Sequence, residues 1–135
     1  MMSQKRADRE SLEVENYMER NIFVREFGVA STSLDKRKIK KLVKKSVNAN
    51  QDGNPRGHHN LIIVMEELSE LSKEVSKQIR GRGDIVSLTE EMADVSLGLI
   101  YLQEICGITT EDIYKAINVK VDRLERVLNK KGCYL

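Results

Sequence analysis

Tryptophan is missing from this chain, proline occurs once, and aromatic residues make up only 4% of it. A β-sandwich needs aromatic and β-branched alternation and many turns, so this composition argues against one. There are only two cysteines, Cys106 and Cys133. They can build no disulfide framework, and the expectation is one core thiol and one tail thiol in a reducing compartment. No apolar run reaches the length of a membrane span, and residues 1–21 hold no apolar stretch of the secretory kind. A soluble cytoplasmic protein is the expectation. Neither sign of charge dominates: the net charge is +2 over 135 residues, so bulk electrostatics mark no nucleic-acid binder. What the chain has in quantity is Leu, Ile, Val, Glu and Lys. That mixture fits a single all-α domain with a modest core.

Residues 1–30 are the least patterned. Ser11 to Arg20 reads as a short helix with Leu12, Tyr17 and Met18 partly buried, and Ile22, Phe23, Val24 and Phe27 form an apolar cluster closed by Gly28. Together they suggest a docking arm. Ser33 is placed to cap a helix reaching about Val47. Leu34, Ile39, Leu42, Val43 and Val47 make its apolar side, and Lys36, Arg37, Lys38, Lys40, Lys41, Lys44 and Lys45 the other. Such a run is ordinarily a solvated helix face; otherwise it attracts phosphates. Asn48 to Gly57 is a loop, with Asp-Gly, Asn-Pro and Gly as turn formers.

Three amphipathic helices follow. The first runs from about His59 to Ile79, with Leu61, Val64, Leu68, Leu71 and Val75 at spacings of three and four. Gly81 to Asp84 breaks it. The second carries Leu88, Met92, Val95, Leu99, Leu102 and Cys106; Ser87 and Glu90 have capping-box spacing, and Gly107 ends it. The third starts near Thr109 or Thr110, with Glu111 and Asp112 in its first turn and Ile113, Ile117, Val121, Leu124 and Leu128 as its stripe. Residues 130–135 are a tail. The chain therefore divides into an arm and basic helix (1–56), a helical core (57–129) and the tail. The stripes are too wide for one small bundle to cover, so self-association is expected, as a homodimer or homotetramer.

Acids lie beside or within these stripes. Glu67 and Glu70 are three apart on the first helix, Glu66 and Glu70 four apart, and Glu91 and Asp94 three apart on the second. Taken singly, such pairs are usually ordinary surface acids with a lysine nearby. Two of them on consecutive helices joined by a short loop can surround one point with carboxylates. Oxygen ligands alone suit Mg²⁺, with Mn²⁺ a possible substitute, and do not suit Zn²⁺.

Asn60 to Leu71 (NLIIVMEELSEL), followed by Glu90 to Val95 (EEMADV), resembles the MazG-like nucleoside triphosphate pyrophosphohydrolases. The resemblance covers about residues 57–128. It implies the helical-bundle fold of the all-α NTP pyrophosphatases and hydrolysis of an NTP to NMP and pyrophosphate with Mg²⁺. Glu67, Glu70, Glu91 and Asp94 would be the metal-binding acids. Glu66 would be the outer acid, a second-metal ligand or the group orienting the attacking water, and Glu66 and Glu67 are the catalytic candidates. Lys120 matches a lysine frequent in the family, with Arg123 and Arg126 as further substrate-binding candidates. The chain departs from the pattern at Leu124, where many members carry Asn. His58 and His59 lie near enough to the first acidic helix to be considered, but they read as loop residues. The competing reading is a helical module that binds nucleic acid or an acidic partner through residues 36–45, its acidic site non-catalytic. A third is a structural oligomer whose acids hold Ca²⁺ or Mg²⁺ for stability alone.

Overall fold

The computed structural model describes residues 4–49 and 53–131, with side chains except those of 4, 5, 7, 8, 15–21, 23 and 131. It is all-helical over these residues. The helices are α1 (Gln4–Phe27), α2 (Lys36–Ala49), α3 (His58–Ile79), α4 (Ile85–Cys106) and α5 (Thr110–Lys131). The arm expected as a short helix and a cluster is one long helix. Leu12, expected to be partly buried, is exposed; the side chains of Tyr17 and Met18 lie outside those described, as does Cys133.

Helix starts were the least legible feature. Ser33 does not cap α2: Asp35 does, its carboxylate accepting from the Lys38 N–H at 2.9 Å. Nor is Ser87 a cap. Asp84 caps α4, accepting from the N–H groups of Val86 and Ser87, and Ser87 sits in the first turn, donating its hydroxyl to Asp84. In both places a carboxylate, which accepts more strongly than a hydroxyl, takes the orphan donors. Thr109 and Asp112 form the reciprocal box that opens α5. Gly107 ends α4 at φ 67°, as expected.

α4 is the central helix. It lies antiparallel to α3 along most of its length and also meets α2 and α1. Two contacts set the α3–α4 register. Gly57, at φ 82°, abuts Ile105, and Gly98 faces Val64, where a Cβ would come within 3.3 Å of Val64 Cγ2. Val43, Val47 and Val64 form the buried apolar centre. α5 packs along none of the other helices.

The helix faces are rotated from those expected. On α3 the residues turned inward are Asn60, Val64, Glu67, Leu71 and Glu74, while Leu68 and Val75 are each 45% exposed. On α4, Met92, Leu99 and Cys106 are exposed, so Cys106 is not a core thiol. Leu61, Val64 and Leu71 on α3 and Leu88, Val95 and Leu102 on α4 are buried or half-buried as expected, while the rest of those stripes and most of that on α5 remain at the surface. No described helix is long and apolar enough to cross a membrane.

Two stability outcomes follow from these contacts. Gly57→Ala adds a Cβ 2.6 Å from Ile105 at positive φ, whereas Gly81→Ala meets open space at φ 65°. Urea unfolding is expected to show a loss of about 2–4 kcal/mol for the first and about 1 kcal/mol for the second. The Asp84 carboxyl is held below the usual aspartate range, chiefly by the Ser87 hydroxyl and then by the Val86 and Ser87 N–H groups. A depressed folded value gives stability that is present above the unfolded value and lost as pH falls through the folded one. Asp84→Ala is therefore expected to cost about 1 kcal/mol at neutral pH. The gap to wild type should close as unfolding is repeated at decreasing pH through the carboxylate range.

Candidate metal centre

Two helices crossing at a glycine bring the acids together. Gly98 allows α4 to lie directly on Val64 of α3. Because the helices are antiparallel, moving one turn along α3 from Val64 reaches Glu67. The same direction along α4 from Gly98 leads to Asp94 and then Glu91. Carboxylate oxygens of Glu67, Glu91 and Asp94 all lie within 4.8 Å of one another. Glu67 and Glu91 are half-buried and Asp94 is exposed.

None of these three forms an ion pair with a described residue. The neighbouring acids do: Glu70 with Lys73 at 2.6 Å, Glu74 with Lys77 at 2.5 Å, and Glu104 with Arg56 at 3.0 Å. The difference in environment shows at Glu91, whose carboxyl is pushed above the ordinary range. Loss of hydration is the main cause, followed by the charges of Asp94, Glu70, Glu67 and Glu74. Three carboxylates converge with no cation among the described residues to answer them. That is a cluster of oxygen donors that could hold a metal ion.

A cavity of about 210 Å³ opens beside them, lined by Glu67 and Asp94 and by Ser46, Asn60, Gly98 and Tyr101 among others. Asn60 is 4% exposed. Its Nδ2 donates to Ser46 Oγ at 3.2 Å, and its Oδ1 has no partner. Whichever way the amide is turned, one end stays unsatisfied. A buried orphan of this kind costs about 1–3 kcal/mol and calls for an explanation. Beside three unpaired carboxylates, it reads as a group that a bound molecule would satisfy.

The other candidates are distributed as follows. Glu70, expected alongside Glu67, stands outside the close group and is held by Lys73. Glu66 is exposed and outside it as well. Lys120, Arg123 and Arg126 are exposed on α5, which does not bring them to the acids within one chain. His58 and His59 are exposed in the first turn of α3. Sequence reasoning missed Asn60 and Glu74 as inward-facing residues. Both lie seven positions from Glu67, a heptad repeat of polar residues on the face of Val64 and Leu71, and that spacing was the available signal.

Compared with known proteins, the chain matches no family model, no curated protein and no solved structure.

A raised folded pKa means that the ionised Glu91 opposes folding at neutral pH, and that this contribution worsens as pH rises through the folded value. Glu91→Gln is therefore expected to raise the melting temperature of the protein in chelator. It should also remove the rise that Mg²⁺ gives the wild type, both read from thermal melts with and without the ion.

Proposed function

We propose that this chain hydrolyses a (deoxy)nucleoside triphosphate to the monophosphate and pyrophosphate with Mg²⁺, clearing surplus or unwanted nucleotides. The observation that carries this reading is the convergence of Glu67, Glu91 and Asp94, unpaired, with Glu67 and Asp94 lining a cavity that also holds an unsatisfied amide. The donor set fits the ion: it is all oxygen, has no His or Cys, and its charge is uncompensated. When bound, Mg²⁺ would supply charge neutralisation for the phosphates and a more acidic water.

The chain's own residues divide the remaining work. Glu67, from α3, and Glu91 and Asp94, from α4, would hold the ion from two helices, so that its position follows the α3–α4 register. Water oxygen bonds to the α-phosphorus, the bond from that phosphorus to the oxygen bridging to the β-phosphorus breaks, and pyrophosphate leaves with the electron pair. A carboxylate not engaged with the ion takes the water proton, and Glu66 is the outer acid proposed for that part. Asn60 would present its free amide end to the substrate, and Tyr101 an aromatic wall. No covalent nucleophile is needed.

Triphosphate also demands cations. Lys120, Arg123 and Arg126 are proposed to provide them from a second copy of the chain, in a homodimer or larger homo-oligomer. The uncovered apolar stripes support association: Met92 and Leu99 on α4 and Ile117, Val121 and Leu124 on α5 are all exposed, and contiguous exposed apolar surface favours burial against a partner. Leu124, on that stripe, would then serve the interface in place of nucleotide contact.

Pyrophosphate release from a panel of NTPs and dNTPs tests the reading. Turnover is expected with Mg²⁺ and none with chelator. Glu67→Gln and Asp94→Asn are each expected to lose more than about 100-fold, and Glu70→Gln, altering a residue beside the ligands, about tenfold. Absence of turnover on every nucleotide, from folded protein that Mg²⁺ still stabilises, would leave only a structural cation site.

A further inference from the structure

α2 carries a second set of unanswered charges, independent of the hydrolase reading. Seven of the ten residues from Lys36 to Lys45 are cationic: Lys36, Arg37, Lys38, Lys40, Lys41, Lys44 and Lys45. All seven are exposed. None forms an ion pair with a described residue, whereas Arg6, Arg9, Lys73, Lys77 and Lys115 each have an acid one turn away. The one acid at this helix, Asp35, is engaged as its cap.

At 100° per residue, Val43, Ser46 and Val47 fall on one side of α2 and Arg37, Lys38, Lys41, Lys44 and Lys45 on the other, while Lys36 and Lys40 lie nearer the valine side. Burial agrees: Val43 and Val47 are buried, and Ser46 lines the acid-bearing cavity. Arg37, Lys38, Lys41, Lys44 and Lys45 therefore point away from the side of α2 that meets the cavity. Arg37, Lys41, Lys44 and Asn48 follow one another along the centre of the outward face. Asn48 accepts from Arg56 Nε at 3.1 Å, and Arg56 in turn meets Glu104, so the row of free charge ends there. From Arg37 to Asn48 the row is about 16 Å long at 1.5 Å per residue.

We propose that this face docks duplex nucleic acid through its phosphate backbone, without sequence preference. Charge complementarity selects a polyanion, and the residue types narrow it. Six of the seven cations are lysine, a point charge without the planar fork that reads guanine bidentately, so contact with phosphate is favoured over base readout. The face has no aromatic residue on which unpaired bases could stack, which disfavours single strands. Its apolar side is spent on the core. Only Leu42, half-exposed at the edge, could enter lipid, and an interfacial helix would need a full apolar face for that. A row of about 16 Å spans about four or five nucleotides of one strand at 3.4 Å each.

The test is fluorescence anisotropy of a short labelled duplex titrated with the full chain. About four phosphate contacts give a log–log salt slope near −3.6, or about a hundredfold weaker binding at 200 mM than at 50 mM salt. The combined variant Arg37→Gln, Lys41→Gln, Lys44→Gln and Lys45→Gln is expected to lose at least tenfold in affinity, with a shallower slope and unchanged helicity by circular dichroism. Replacing the same three lysines by Arg should keep wild-type binding, which separates charge from helix integrity. Pyrophosphate release, where present, should be unaltered in both. Salt-insensitive binding would overturn the proposal. So would a neutralised variant that binds as tightly as wild type, or retention on phosphatidylserine vesicles with none on duplex.

Discussion

Three like charges held together without a counter-charge are the constraint around which the fold is arranged. Glu67, Glu91 and Asp94 repel one another, and the Glu91 carboxyl is pushed up, chiefly by lost hydration and then by the neighbouring acids. They stay close because α3 and α4 are fixed by contacts that are not theirs: Gly98 on Val64, Gly57 against Ile105, and the short turn capped by Asp84. Glycine in the middle of α4 weakens that helix by about 1 kcal/mol relative to alanine. In return it permits a close approach that a Cβ would crowd. Stability is given up locally, twice, in the glycine and in the carboxylates, at the same crossing. Such a concentration is characteristic of a site shaped for a ligand.

Helix existence was legible because 3.6-residue periodicity survives any detail of packing. α3, α4 and α5 begin and end within a residue or two of where spacing and turn residues put them. Helix phase was not legible. The rule that apolar residues face inward holds only in part on α3: Leu61, Val64 and Leu71 obey it, but Asn60, Glu67 and Glu74 are also turned inward and Leu68 and Val75 are exposed. Polar residues hold part of the inner line where the three carboxylates meet, and that cluster hid the orientation of its own helix. Caps failed for a plainer reason. Ser and Asp both suit that position, and choosing between neighbours requires the backbone path.

Of the four acids read from the doubled motif, spacing could not single out Glu70. Glu67 and Glu70 are equivalent in the pattern and differ in three dimensions by which lysine each can reach. Lys73 lies one turn beyond Glu70 and closes on it. Position along α3 does the rest: Glu67 brings an oxygen within 4.8 Å of both Asp94 and Glu91, and Glu70, whose charge still reaches Glu91, lies outside that group. The cations on α5 show the opposite limit. Lys120 is named by resemblance alone, and a single chain offers no contact that would carry it to the acids.

The small net charge conceals a segregation. Elsewhere, among the described residues, five pairs of opposite charge sit a turn apart on one helix and close on each other. Two dense unpaired sets are the three acids of the α3–α4 crossing and the seven cations of α2, and five of those cations lie on the side of α2 turned away from the cavity. Had charge served stability or solubility alone, these sets could have answered each other, because α2 packs directly on both helices of the crossing. Turning Ser46 and the valines inward keeps them apart. Each set is thereby left able to attract something from outside the chain: a cation at one face of the molecule and a polyanion at the other. The separation follows from one helix's phase, set by Val43 and Val47.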